Sequence, residues 1–403
     1  MRFERKAGSL GLRRWGLLGV VAAMCVAPSA RAQTQFDIYG FAMLDMGYQT
    51  KQNDPAWFDV LRPTKLPAFD DQFGKDGRFF AGVRQTRIGF KSSTPTEMGD
   101  LKTTFEFEMF GVGVDAGQTT IRLRHAYGEL GKFGAGQYWS PFMDIDVFPN
   151  SIEYWGPNGM AFFRNVQVRW MPIQGDTRMT IALERPGASG DLGVVSDIVG
   201  GDLVGRFPLP DLSAEYRKAT GFGYLEAAGI VRQMKWDDMD PTDANGDISG
   251  DATGWGFNFS TNIKTGDRGL VRASLVYGEG IENYMNDAPV DVAVEVDGAG
   301  NIDGVALPVT GISAFYDVTW NERWTSTVGY SMLDIDNSNG QGPTAFKTGQ
   351  YGLVNLLFHP VADVMMGGEI QWGDRENVNG FTSDDLRFQF SAKYNFATSI
   401  GGR

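Results

Sequence analysis

Apolar and polar residues alternate along many segments of the chain. In residues 386–396, for example, six apolar residues alternate with Arg387, Gln389, Ser391, Lys393 and Asn395. Successive side chains of a β-strand point to opposite faces, so a period of two indicates a strand with one apolar and one polar face. Segments of this kind recur from residue 36 to residue 396. They predict an all-β protein.

These alternating segments are long for a soluble protein. Most have about 9 to 13 residues, which suits a tilted membrane-spanning strand, whereas soluble strands usually have about 5 or 6. Aromatic residues gather at the segment ends, where the membrane interface would lie. Together these features predict a 16-stranded antiparallel transmembrane β-barrel. The predicted strands are 36–48, 79–92, 101–111, 120–130, 133–139, 165–171, 178–185, 211–218, 222–236, 253–264, 269–278, 310–320, 323–333, 347–359, 363–373 and 384–396.

Short and long connections alternate between the predicted strands. Outer-membrane barrels have short periplasmic turns and longer outer loops, and an even number of strands puts both termini on the periplasmic side. A barrel of this size is too wide for side chains to fill, so an aqueous channel is expected. The long connections are 49–77, 140–164, 237–251 and 279–308.

Both ends of the chain carry further signals. Residues 1–32 combine several arginines, a short apolar run and the small-x-small sequence Ala30-Arg31-Ala32, which is the pattern of a cleaved secretory signal peptide. The mature protein is therefore predicted to be one barrel domain, residues 33–403, in the outer membrane of a Gram-negative cell. Residues 397–403, after Phe396, are predicted to form a short periplasmic extension.

Composition and charge exclude several functional classes. The chain has two histidines, one cysteine and a formal net charge of −13. Such an acidic chain is unsuited to nucleic acid, which is bound by clustered Lys and Arg. Two histidines are too few for a His-rich metal site, and no Gly-x-Ser-x-Gly motif occurs. We therefore expect no nucleic-acid partner, no metal or cofactor and no catalysis.

Several motifs in the first third of the predicted barrel resemble the DcaP-like porins of Gram-negative outer membranes. They are GVRQTRIGF at 82–90, GDLKT at 99–103, LRHAYG at 123–128, GQYWSPF at 136–142, and FPN at 148–150 through NG at 158–159. The resemblance implies a trimer of 16-stranded barrels, each with its third outer loop folded into the pore, that passes dicarboxylates and related small anions. Some relatives carry a coiled coil before the barrel. Here the first strand starts almost at Gln33, so a homotrimer is expected to form through the barrel walls.

Residues 140–164 follow the fifth predicted strand and are therefore the predicted constriction loop, with Asp144, Asp146 and Glu153 as its acids. An arginine facing lipid at the membrane midplane costs about 2 to 4 kcal/mol, so the bases of neighbouring strands are predicted to point into the lumen. Acids on the loop and bases on the wall would create a transverse field. The predicted solute-binding residues are Arg87, Lys91, Arg122, Arg124, Arg164 and Arg169.

Two interpretations of the wall arginines stay open. Glu106 and Glu108 alternate with apolar residues and should also face inward. With Arg87 and Arg124 they would form a cross-strand ladder that stiffens the wall. Alternatively, at least two of the arginines are free to meet a solute, because the bases outnumber the two carboxylates. Guanidinium groups would then bind carboxylates through paired hydrogen bonds.

Three functions are compatible with these patterns. We favour a diffusion channel for small anionic solutes such as dicarboxylates. A general or sugar-type porin would instead use aromatic residues as a stacking track, whereas in the anion channel they fix the loop. These residues are Tyr138, Trp139, Tyr154, Trp155, Phe162 and Phe163. The third possibility is a structural or adhesive barrel without a channel. Membrane lipid and lipopolysaccharide are expected partners, and the acidic outer loops would reach lipopolysaccharide through divalent cations or stay simply solvated.

Overall fold

The computed structural model describes residues 33–195, 203–239 and 247–401, so the predicted signal peptide lies outside the described residues. Within these ranges no helix is long and apolar enough to cross a membrane. The strands are β1 (Gln35–Gln49), β2 (Arg78–Gly82), β3 (Arg87–Thr94), β4 (Leu101–Phe110), β5 (Thr119–Leu130), β6 (Phe133–Trp139), β7 (Arg164–Ile173), β8 (Arg178–Glu184), β9 (Gly190–Asp191), β10 (Leu203–Arg206), β11 (Asp211–Thr220), β12 (Gly223–Asp238), β13 (Gly250–Thr265), β14 (Gly269–Glu279), β15 (Val292–Val296), β16 (Ile302–Ala306), β17 (Pro308–Asn321), β18 (Trp324–Ile335), β19 (Phe346–Val361), β20 (Val364–Asn377) and β21 (Thr382–Ile400). Single-turn 3-10 helices occupy Pro55–Trp57, Pro63–Lys65, Gly113–Asp115, Ile145–Val147, Gly193–Val195 and Glu282–Tyr284.

The wall is a closed barrel of sixteen antiparallel strands. Each wall strand pairs with the next wall strand along the chain, so that β8 pairs with β11 and β14 with β17. The strand β21 pairs with β1 from Phe36–Ile400 to Gln49–Arg387, which closes the cylinder. The segments β2 and β3 both pair with β1 and together form one wall strand. The predicted barrel and its strand number are confirmed. Closure satisfies the backbone of every wall strand, as a spanning sheet in lipid requires.

The structure corrects the prediction at two wall strands. The predicted strand 79–92 is interrupted, because four residues (83–86) lie opposite three on β1 (42–44). This is the geometry of a β-bulge, which redirects side chains and locally interrupts pairing. The predicted extension after Phe396 is wrong as far as Ile400. The strand continues there because β1 begins at Gln35 and supplies partners for residues 397–400.

The two faces of the wall differ as the alternation predicts. Apolar side chains such as Phe105, Val168, Phe257 and Phe388 are exposed on the outer face. The inner face is polar and largely covered, although it encloses a wide barrel. The cover comes from loops that fold into the lumen.

Three outer loops enter the barrel: L1 (residues 50–77), L3 (residues 140–163) and L6 (residues 280–307). Phe142 of L3 and Tyr284 of L6 are buried in one apolar cluster with wall residues such as Val276. Leu61 and Leu66 of L1 pack on the wall in a second cluster. Only L3 was expected to turn inward. The core of this protein therefore lies inside the barrel, between loops and wall.

L1 is also attached to the last wall strand. The backbone N–H of Lys51 donates to the carboxylate of Asp385 at 2.9 Å, and Arg387 donates to the backbone carbonyl of Asp59 at 2.5 Å. Both Asp385 and Arg387 lie on β21 and are fully buried. A loop near the N terminus is thereby joined to the C-terminal end of the chain.

Outside the barrel, the outer loops form additional strands. The strands β9, β15 and β16 make a small three-stranded sheet, and β10 pairs with the outer end of β12. These short strands were not among the predicted segments, because they have five residues or fewer and show too little alternation to be detected.

Candidate functional site

The first half of L3 is bound to the wall by its acidic residues. The Asp144 carboxylate is fully buried and accepts hydrogen bonds from Arg217 at 2.6 Å, Tyr224 at 2.7 Å and Ser260 at 2.7 Å. Asp146 also pairs with Arg217, at 2.5 Å, but its side chain is 48% exposed. These contacts hold L3 against β11, β12 and β13.

The second half of L3 is bound to the opposite part of the wall and to L1. Asn355 of β19 donates to the backbone carbonyl of Asn150 at 2.8 Å, and Ser151 donates to Glu369 of β20 at 2.8 Å. The Glu153 carboxylate accepts the backbone N–H of Leu61 in L1 at 3.1 Å. L3 thus crosses the lumen between two groups of wall strands, as expected of a constriction loop.

The predicted transverse field from loop acids is wrong for two of the three residues. Asp144 and Glu153 are buried, and the wall and L1 hold their carboxylates through hydrogen bonds, so neither acid presents an exposed charge. Both residues lie on the inward loop, as predicted, but their carboxylates bind the wall and L1 and hold the loop in place. Only Asp146 retains a half-exposed carboxylate.

Burial raises the pKa of Glu153 to about 8, from a usual value of 4.5, although the Arg387 charge and two backbone N–H donors oppose this. Docked L3 therefore retains a proton that undocked L3 would release, and docking should weaken as the pH rises from about 4.5 to about 8. We expect L3 to be cleaved faster by an added protease at pH 8.5 than at pH 5, relative to a soluble reference substrate. Glu153→Gln should remove this dependence, and an unchanged dependence would contradict the assignment.

A cluster of arginines and two glutamates occupies the facing wall. Glu106 and Glu108 of β4 lie between β3 and β5. Arg124 donates to Glu106 at 2.6 Å and to Glu108 at 2.5 Å and is only 5% exposed. This is the predicted cross-strand ladder, and Arg124 belongs to it.

Two other arginines of the cluster remain partly open. Arg87 lies 3.3 Å from Glu108 and 3.7 Å from Glu106, and its side chain is 24% exposed. Arg122 lies 3.6 Å from Glu108 and is 28% exposed. The longer distances and the exposure leave both groups able to contact a solute. The structure therefore combines features of the two interpretations, with a buried ladder at Arg124 beside two partly exposed guanidinium groups.

Arg164 completes the cluster at the end of L3. It lies over the ring of Trp139, 5.1 Å from the ring centre, and 3.9 Å from Glu108. Its side chain is 8% exposed, and its Nη1 atom is buried without a hydrogen-bond partner among the described residues. Buried donors are nearly always paired, so this nitrogen calls for an acceptor from water or a solute.

A cavity of about 580 Å³ lies between this wall and the inner loops. Two carboxylates, Glu153 and Glu282, also line it, against six basic side chains. The basic residues are Arg62, Arg87, Arg122, Arg124, Arg164 and Lys393. Five of these bases also pair with Glu106, Glu108 or Asp287, so the cavity keeps a small positive surplus, which suits it to an anion.

Two of the predicted solute-binding residues lie outside this cavity. Arg169 donates to Gln167 at 2.7 Å and lies over the ring of Tyr127, 5.2 Å from its centre. Lys91 is exposed, with its ammonium 4.8 Å from the centre of the Tyr39 ring. Neither belongs to the arginine cluster.

Sequence reasoning missed two basic residues of the cavity. Arg62 of L1 lies over Trp57 at 4.3 Å and Trp155 at 3.9 Å and pairs with Asp287 of L6 at 2.7 Å, so it connects L1, L3 and L6. No periodic pattern marks a residue in a loop of this kind. Lys393 was placed on the inner face by alternation but was not assigned to the site.

The aromatic residues of L3 pack against their surroundings. Tyr154 stacks on Phe110 at 3.8 Å and donates to Glu108, and Phe163 packs on Tyr284 at 4.8 Å. Such contacts help to fix the loop, although Tyr154, Trp155, Phe162 and Phe163 also line the cavity. In the described ranges there is also no group of three or more His, Cys, Asp or Glu suited to a metal ion.

The sequence of residues 26–396 matches the DcaP outer membrane protein family. The chain belongs to this family. The match extends well beyond the first third of the barrel, where the motifs lie, and confirms the predicted outer-membrane location. A search of curated proteins finds no significant relative.

Solved structures of outer-membrane barrels share the fold. The outer membrane channel DcaP of Acinetobacter baumannii is 23% identical with a TM-score of 0.74, covering 90% of this chain and 97% of its own. The anion-selective porin from Comamonas acidovorans is 9% identical with a TM-score of 0.55, covering 90% and 100%. OmpT of Vibrio cholerae, in a trimer form, is 12% identical with a TM-score of 0.54, covering 90% and 99%. DcaP-family membership and these neighbours support the predicted class of outer-membrane channel.

Proposed function

We propose that this DcaP-family protein is a diffusion channel that favours small anions, dicarboxylates among them. The observation that carries the proposal is the cavity beside L3, in which six basic side chains outnumber the carboxylates that line the cavity or pair with them. Outer-membrane channels of the same fold, one of them named as anion-selective, support it. No catalytic role is proposed.

The mechanism would combine steric sieving with electrostatic guidance. L3 narrows the lumen, and low-dielectric walls concentrate the field of the cluster on the remaining opening. Arg87 and Arg122 would bind a carboxylate through charge-assisted hydrogen bonds. Because both are partly solvated, each contact stays weak enough for the solute to leave again, as conduction requires.

Reversal potentials across planar bilayers in a KCl gradient test this proposal. We expect the reversal potential to be shifted from zero toward the equilibrium potential of chloride. A value near zero or on the potassium side would favour a general porin, and absence of conductance would favour a barrel without a channel. Uptake of labelled succinate against a neutral sugar into proteoliposomes should show the same preference.

We also propose a homotrimer, because a barrel of the same fold is described in a trimer form. Its contacts would lie on the apolar outer wall, where lipid is otherwise expected. The mass of the purified protein in detergent, measured by light scattering with the detergent contribution subtracted, tests this. A monomeric mass would contradict it. Binding to lipopolysaccharide through the acidic outer loops stays a prediction.

A further inference from the structure

Lys393 is a cation of the cavity with no carboxylate beside it in the described part of the chain. It lies on β21, opposite Met43 of β1 and Met365 of β20, and all three residues line the cavity. Its ammonium group lies 4.3 Å from the centre of the Phe41 ring. Among the described residues no acidic group lies within ion-pair distance of it, unlike the arginines of the cluster. Its charge is therefore available to a solute.

Arg87 approaches the same ring from another strand. Its guanidinium carbon lies 5.3 Å from the centre of Phe41. Since β1 lies between β3 and β21 in the wall, Arg87 and Lys393 flank Phe41 from its two neighbouring strands. With the two distances laid end to end, the charges are at most about 10 Å apart. An apolar ring thus separates two cations that face one cavity.

We propose that Lys393 is a specificity-determining residue that binds the second carboxylate of a dicarboxylate whose first carboxylate is held at Arg87 and Arg122. This inference rests on the proposed anion channel and adds the reason for preferring a diacid to a monoacid. The methylene groups of the solute would lie on Phe41, which offers an apolar surface between the two charges. Once one carboxylate is bound, the other meets Lys393 at a high effective concentration. A monocarboxylate occupies only one of the two positions.

Succinate and butyrate form a matched pair for testing this, because they have the same carbon number and differ in the second carboxylate. Their binding is measured from the interruptions that each causes in the single-channel chloride current. In the natural protein we expect succinate to bind about tenfold more tightly than butyrate, as a charge-assisted contact implies. Lys393→Gln should weaken the binding of succinate about tenfold and leave the binding of butyrate unchanged. Lys393→Arg, which keeps the charge, should restore most of the preference.

Lys91→Gln is the matched control, because Lys91 lies on the same wall but outside the cavity. This variant should leave the binding of both solutes unchanged. Equal binding of succinate and butyrate by the natural protein, or equal loss of both in Lys393→Gln, would overturn the role of Lys393. Failure of the proposed function has a different signature: neither solute would interrupt the current, and Arg122→Gln would not alter ion selectivity.

Discussion

Replacing Arg87 and Arg122 together with glutamate is expected to reverse the ion selectivity of the channel. These are the two most exposed arginines of the cluster, at 24% and 28%. The double change converts a group of four arginines and two glutamates into two arginines and four glutamates. The site is partly shielded from water, so the change in charge alters the local electrostatic potential more than the same change would on an open surface. The reversal potential in a KCl gradient should change sign.

The control for this experiment is a charge reversal elsewhere on the wall. Lys91→Glu changes an exposed base that lies outside the cavity, and it should shift the reversal potential only slightly. The comparison is valid when both variants insert into the bilayer and their single-channel conductance is similar to that of the natural protein. A double variant that keeps its chloride preference would show that selectivity is set somewhere other than this cluster.

Removing the carboxylate of Asp144 is expected to detach the first half of L3. In Asp144→Ala the buried Arg217, Tyr224 and Ser260 lose their common acceptor. Arg217 keeps Glu226 as a partner at 2.6 Å, so the main loss is the two hydrogen bonds that Tyr224 and Ser260 make to a charged acceptor, each worth about 1.5 to 3 kcal/mol. That energy is large enough to free the loop while the hydrogen-bonded wall persists. We expect a higher and noisier single-channel conductance and faster cleavage of L3 by added protease.

Asp146→Ala tests whether the burial of the Asp144 carboxylate is the reason that its removal detaches L3. Asp146 pairs with the same arginine at a similar distance, but its carboxylate is half exposed. Exposed ion pairs contribute about 0 to 1 kcal/mol, so this variant should conduct like the natural protein. If Asp144→Ala and Asp146→Ala behaved alike, the anchoring of L3 would have to be assigned to its apolar contacts.

The wall could be predicted closely because its strands meet hydrocarbon on one face and a polar lumen on the other. That difference imposes alternation over whole segments, so β12 was expected at 222–236 and is found at Gly223–Asp238. The bulge between β2 and β3 could not be predicted from the alternation of apolar and polar residues. Residues 83–86 keep an ordinary composition, and only pairing with β1 reveals the extra residue.

The site was predicted less completely, because alternation gives the face of a residue but not its height in the barrel. Lys91 shares a face with Arg87, yet four residues along a strand amount to about 13 Å, which places it below the cavity. The inward course of L1 and L6 depends on contacts between distant parts of the chain. Arg62 shows this, since its partners Trp155 and Asp287 lie in two other loops.

The attachment of L1 to β21 sets an order for assembly. The acceptor and donor that hold L1, Asp385 and Arg387, lie on β21, the strand that closes the barrel against β1. L1 can therefore reach its final position only after the seam between the first and last strands has formed. The part of the lumen that L1 fills is therefore filled only when the barrel is closed.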